Sequence, residues 1–154
     1  MGETEWKHAG WVSGLGKWAW ILLFVFAIIA LIFGIIGLIG TIAAWESLRP
    51  YYTLLGQPMP PLPIGGFIWQ MIGVVISLFV ALFIIRPKFS KPCGEKDWEA
   101  LYGWTLKLGG AKIPWMFIWG IILTIFGWWY WPGVFVLIPA IMLIFAGPRK
   151  YEWK

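Results

Sequence analysis

The side chains that most often carry out chemistry in proteins are scarce in this sequence. It has one histidine, His8, and one cysteine, Cys93, and it contains no glycine-rich phosphate loop and no nucleophile elbow. One histidine and one cysteine cannot supply the several ligands that zinc, haem or an iron–sulfur cluster requires. We therefore expect no catalytic, cofactor-binding or metal-binding residues, and a protein that is not an enzyme. Whether Cys93 is acylated or an inert thiol is left open.

The charged residues lie outside the long apolar segments. Glu46 comes nearest to one of them, but it stands at the segment's end. Proton- and ion-coupled transporters normally carry ionisable side chains inside the membrane. Small four-helix multidrug transporters are similar to this chain in size, yet they depend on a glutamate within the first helix. The position of Glu46 therefore argues against coupled transport.

The composition is that of a membrane protein. Of 154 residues, 60% are apolar and only 12% are charged, and the mean hydropathy is +0.79. A soluble domain usually has about 25% charged residues. This balance excludes a water-soluble fold and a disordered chain.

Four apolar segments are candidates for membrane-spanning helices, which need about 20 residues each. They cover residues 18–45, 64–85, 113–131 and 133–147, with a proline-rich outer loop at 46–63. We predict an all-α integral membrane protein with four transmembrane helices. The last segment is short, and a re-entrant hairpin that enters the membrane and returns is the alternative.

The basic residues predict the orientation. With four spans, eleven of the twelve Lys and Arg residues lie on one side, and Arg49 alone lies on the other. Basic residues concentrate in cytoplasmic loops. We expect both termini in the cytoplasm and the protein in the cell membrane; a re-entrant hairpin gives the same distribution.

The sequence also matches itself at an offset of 93 residues. The pattern G-W-x-x-x-L-G occurs at 10–16 and again at 103–109, and ten of the 25 positions from Gly10 to Gly34 are identical to their counterparts. This indicates two tandem helical hairpins, 1–92 and 93–154, within one membrane domain. Chance similarity between apolar segments is the alternative.

Each hairpin is preceded by an interfacial segment. Residues 95–108 place apolar side chains at helical spacing, which predicts an amphipathic helix in the membrane interface, and 6–17 is its glycine-rich counterpart. Tryptophan favours the headgroup layer. The expected interfacial tryptophans are Trp11, Trp18, Trp98 and Trp104.

Small residues recur along the helices at spacings that allow close helix packing. This predicted packing seam comprises Ala27, Ala30, Gly34, Gly37, Thr41 and Ala44 on the first helix, Gly73, Ser77 and Ala81 on the second, and Gly120, Thr124 and Gly127 on the third. Basic side chains beside the membrane attract anionic headgroups. The predicted headgroup contacts are Arg86, Lys88, Lys91, Lys96, Arg149 and Lys150.

These features favour a non-enzymatic membrane protein that packs as an accessory subunit within a larger membrane complex. The first alternative is a membrane-shaping protein, similar in architecture to reticulon-type hairpin proteins. The second is an oligomeric pore or carrier for a neutral or apolar solute. The expected partners are membrane lipids and either other membrane subunits or further copies of the chain. We expect no nucleic-acid partner.

Overall fold

The computed structural model describes residues 6–127 and 131–153. The chain is mostly helical, at 74% of its residues, which confirms the all-α class. The elements, in chain order, are α1 (Ala9–Ser47), α2 (Arg49–Leu54), α3 (Gly65–Val80), a π-helical segment (Ala81–Ser90), α4 (Lys91–Glu95), α5 (Trp98–Gly103), β1 (Thr105–Leu108), β2 (Ala111–Pro114), α6 (Trp115–Phe126) and α7 (Val134–Ala146).

Two helical runs are long and apolar enough to cross a membrane. They are Ala9–Leu54 and Gly65–Glu95, with 46 and 31 residues. Within the first, α1 alone has 39 residues and a length of about 58 Å. No proline interrupts α1, so the first interfacial segment and the first predicted span form one continuous helix. The outer loop is shorter than predicted, because α1 extends to Ser47 and α2 follows it.

The second run changes its helical pitch near the basic residues. Α-helical geometry ends at Val80, and π-helical geometry continues to Ser90 with Pro87 inside it. In an α-helix the ring of Pro87 would clash with the carbonyl of the residue four positions earlier, Phe83. The wider π turn accommodates the ring, so the chain continues into α4 without a break.

The predicted amphipathic helix at 95–108 is wrong beyond Gly103. Glu95 ends α4 and residues 98–103 form α5, but residues 105–114 form an antiparallel hairpin in which Leu108 pairs with Ala111. Its two-residue turn places Gly109 at φ +55° and Gly110 at φ +86°. Tight hairpin turns require such positive values, which glycine adopts without a steric penalty. The hairpin also delays the third apolar helix, which begins at Trp115 and not at 113.

The two G-W-x-x-x-L-G segments therefore differ in local structure. Residues 10–16 lie within α1, whereas residues 103–109 run from the end of α5 through β1 into the turn. The resemblance in sequence does not extend to a shared backbone conformation at this pattern.

The last two apolar helices are short. Helix α6 has 12 residues and helix α7 has 13, which give lengths of about 18 and 20 Å. A hydrocarbon core is about 30 Å thick. Two of the four predicted spans are thus shorter than the membrane core in helical length.

The short helices pack against one end of the long ones. The rings of Phe26 and Phe135 lie 5.2 Å apart, and Trp69 stacks on Phe126 at 5.1 Å. Near these contacts α6 ends and α7 begins. A four-helix core lies on one side of this level, and its buried members include Leu23, Ile85, Phe89, Leu101, Met116, Leu123 and Leu143. Beyond this level α1 continues for 21 residues, from Ala27 to Ser47, or about 32 Å.

Candidate functional site

The inner half of the predicted seam on α1 packs against α3. Ala27, Ala30 and Gly34 are buried, and a Cβ at Gly34 would lie 2.9 Å from Met71 Cε. Gln70 Nε2 donates a hydrogen bond to the carbonyl oxygen of Ala30 at 2.7 Å. The small residues let α1 and α3 approach closely. At this short separation the Gln70 amide can hydrogen-bond to the α1 backbone.

The seam on α3 packs against α6 and the core. A Cβ at Gly73 would overlap the carbonyl oxygen of Phe126, so the two backbones touch there. Ser77 and Ala81 are fully buried farther along the same run. The small-residue face of α3 is therefore occupied by contacts within the chain.

The seam on α6 packs against α7. A Cβ at Gly120 would lie 2.6 Å from Leu137 Cδ2, and one at Gly127 would overlap Pro132. Thr124 Oγ1 donates to the carbonyl oxygen of Gly120 at 2.8 Å. The contact also depends on Gly133, where a Cβ would overlap the Gly120 carbonyl oxygen and Thr124 Oγ1. Gly133 was not among the residues of the predicted seam.

The outer half of the α1 seam is more exposed than the inner half. Gly37 and Ala44 are exposed, and Thr41 is half-buried. The apolar side chains around them also point outward: Ile32, Phe33, Ile35, Ile36, Ile39 and Ile42. In this part of α1 the large apolar side chains are exposed, and so are Gly37 and Ala44 on the small-residue face.

An apolar groove of about 620 Å³ lies at the end of this exposed half. The groove is lined by Thr41, Ala44, Trp45, Ser47, Leu48, Pro60, Pro61 and Pro63. Trp45 Nε1 donates to the carbonyl oxygen of Pro60 at 2.8 Å, which holds the proline-rich loop against α1. The loop thus forms one wall of a groove whose other wall is the seam.

The predicted headgroup contacts lie at the opposite end of the long helices. Arg86 and Lys88 are exposed on the π segment, Lys91 on α4 and Lys96 just after α4. Arg149 and Lys150 are exposed after α7. Arg149 pairs with Glu99 at 2.8 Å, and its Cζ lies 4.7 Å from the centre of the Tyr102 ring. Arg149 is therefore partly neutralised within the chain.

Two tyrosine hydroxyls hydrogen-bond the residues around the end of α7 and the C-terminal tail to the basic end of the molecule. Tyr102 Oη lies 2.8 Å from the carbonyl oxygen of Leu143 and 3.1 Å from that of Arg149, so its proton can be donated to either. Burial raises the pKa of the Tyr102 phenol, so this donor stays protonated at neutral pH. Tyr151 donates to the carbonyl oxygen of Lys112 at 3.1 Å.

The predicted interfacial tryptophans occupy this same region. Trp11 and Trp18 are exposed, while Trp98 and Trp104 are half-buried. Trp11 Nε1 donates to His8 Nδ1 at 3.2 Å, so the one histidine is held by a tryptophan. These contacts are compatible with a layer of aromatic rings around the basic end.

The thiol of the single cysteine, Cys93, is buried. Cys93 is 1% exposed, and a Cβ at Gly16 would lie 2.5 Å from its Sγ. A thiol packed this closely against α1 is closed to an acylating enzyme in the folded chain. In the described ranges 6–127 and 131–153, no group of three or more His, Cys, Asp or Glu residues could hold a metal ion.

Comparison with protein-family models, curated proteins and solved structures gave no match for this chain.

Proposed function

We propose that this chain is a non-enzymatic integral membrane protein that packs as an accessory subunit within a larger membrane complex. One observation carries the proposal: the small-residue seam of α1 continues past its intrachain partners into the exposed stretch from Gly37 to Ala44. A partner helix from another subunit would occupy that stretch.

The physical reason is the way in which helices associate in lipid. Burial of apolar area contributes little to helix association in lipid, because lipid tails are as apolar as the side chains. The attraction comes from van der Waals packing between closely approaching backbones. The inner seam residues already show the effect, since Gly34 admits Met71 to close contact with α1. Gly37, Thr41 and Ala44 repeat the same spacing farther along α1, where Gly37 and Ala44 are exposed and a Cβ at Gly37 would have nothing within 4 Å.

We further propose that the four apolar segments lie in the cell membrane as two related hairpins with both termini in the cytoplasm. The support is the distribution of charges along the sequence, with Arg49 on one side of the four segments and the other eleven basic residues on the opposite side. The partners in this proposal are membrane lipids and other subunits or a second copy of the chain, and nucleic acid is not among them.

The contact surface can be tested by placing a photoreactive maleimide on single cysteines in native membranes. Because Cys93 is buried, the introduced thiol is the reactive one. We expect Ala44→Cys to give a cross-linked product of defined mass. Gentle extraction and native mass analysis should recover the same partner with the unmodified chain.

Ala43→Cys is the matched control, because Ala43 is the same residue type, is also exposed and lies about 100° around the helix from Ala44. We expect its cross-linking yield to be several-fold lower. Equal yields at both positions, or a stable monomer without a co-purifying chain, would contradict the proposal.

Membrane shaping is the second candidate, and the short helices α6 and α7 favour it. A hairpin about 20 Å deep would occupy one leaflet and part of the other, and it would push lipids apart on that side. In that case Trp131→Cys should resist membrane-impermeant maleimides from both sides, and vesicles should become smaller at high protein density. Labelling from the outer side, with unchanged vesicle size, would exclude this function.

The oligomeric pore or carrier for a neutral or apolar solute stays a prediction. No contact among the described residues supports it over the two functions above.

A further inference from the structure

A second groove, of about 560 Å³, lies between the start of α1 and the π segment. Lys17 and Trp20 line it from α1, and Arg86, Ser90 and Lys91 line it from the opposite side. No acidic residue lines this groove. We call it the basic groove.

The three cations of the basic groove have no neutralising partner among the described residues. Lys17, Arg86 and Lys91 are exposed, and none of them forms an ion pair in the described part of the molecule. The Arg86 Cζ lies 4.7 Å from the centre of the Trp20 ring, which fixes the guanidinium in the groove wall. The stem of Lys17 packs on Gly94, where a Cβ would lie 3.2 Å from Lys17 Cγ.

Ser90 adds an unused hydrogen-bond donor. The residue is only 3% exposed, and its Oγ has no hydrogen-bond partner among the described residues. Helical serines commonly donate to a carbonyl one turn earlier, as Thr124 does to Gly120. A buried hydroxyl without a partner is unfavourable, so a ligand oxygen that accepts its proton would be stabilised.

We propose that the basic groove is a binding site for a phosphate group. Phosphate carries several acceptor oxygens and more than one negative charge, which match three cations and one hydroxyl donor, and the guanidinium of Arg86 can hold two of the oxygens at once. The phosphate could belong to the headgroup of an anionic lipid or to a soluble phosphate ester. The site is more specific than general attraction to an anionic surface, because Ser90 and the Trp20-bound Arg86 have fixed positions.

The test uses the full chain in neutral nanodiscs and three probes: phosphatidic acid, phosphatidylcholine and inorganic phosphate. Binding is measured by native mass spectrometry and calorimetry. We expect phosphatidic acid or inorganic phosphate to bind more tightly than phosphatidylcholine. A preference for phosphatidic acid identifies a lipid headgroup as the source, and similar binding of inorganic phosphate identifies the phosphate group alone.

Arg86→Gln should weaken binding about tenfold or more, since it removes a charge-assisted contact. Lys88→Gln is the matched control, because it removes the same charge from the same π segment outside the groove. Ser90→Ala changes no charge and should still weaken binding several-fold. Equal losses of affinity for Arg86→Gln and Lys88→Gln, or no effect of Ser90→Ala, would overturn the proposal. So would the absence of binding of both phosphatidic acid and inorganic phosphate.

Discussion

Phe89→Ala is expected to destabilise the folded chain by about 3–5 kcal/mol, the cost usual for removing a large aromatic side chain from a core. Phe89 is 0% exposed and packs in the core cluster that also holds Ile85 and Cys93. The substitution leaves a cavity where the π segment meets α1, and the surrounding helices can close it only in part. The free energy of unfolding can be followed by tryptophan fluorescence during titration with a denaturing detergent, since the chain has 14 tryptophans.

Phe83→Ala is the matched control for this experiment. Phe83 lies on the same π segment but is 66% exposed, so its ring contacts the surroundings in the folded state. We expect its removal to change the free energy of unfolding by no more than about 0.5 kcal/mol. If both substitutions had the same effect, the placement of Phe89 in the core would be incorrect.

Gly133→Ala is expected to destabilise the chain by about 1–3 kcal/mol, and by more if α6 and α7 cannot separate. Its φ of −61° suits any residue, so the reason is space and not backbone conformation. The added methyl group would overlap the Gly120 carbonyl oxygen and Thr124 Oγ1, both of which are held on α6. The same detergent titration measures the loss.

Gly40→Ala makes the identical change where nothing lies within 4 Å of the new methyl group. Alanine favours the helix over glycine by up to about 1 kcal/mol, so we expect this variant to be slightly more stable than the parent chain. A stabilising effect of Gly133→Ala, or equal effects at the two positions, would contradict the close contact between α6 and α7.

The helices were largely predictable because their signals are local. A long apolar stretch without proline indicates a helix, and α1 contains the whole of the predicted span 18–45. Its extension back to Ala9, through the glycine-rich segment 6–17, was not predicted by this signal. Pro50 and the prolines at 58–63 indicate where the first helix ends and an outer loop begins, and α3 starts at Gly65, one residue from the predicted start.

The hairpin at 105–114 shows where local signals competed. Trp98, Leu101, Thr105 and Leu108 follow helical spacing, yet the Gly109-Gly110 turn brings β1 against β2. The backbone hydrogen bonds of the hairpin come from residues on both sides of the turn, and apolar periodicity does not record that pairing. The choice between helix and hairpin therefore depended on two glycines outside the helical pattern.

The amino-acid sequence alone determined that this is a mostly helical protein with long apolar helices, because composition and the positions of charges are properties of the chain before it folds. It also determined where small residues recur, from Ala27 to Ala44 on α1. Only the tertiary structure decided which of them are occupied: α3 covers Ala27, Ala30 and Gly34, while Gly37 and Ala44 stay open. Burial depends on contacts between residues far apart in sequence, and the same contacts enclosed Cys93 and isolated the hydroxyl of Ser90.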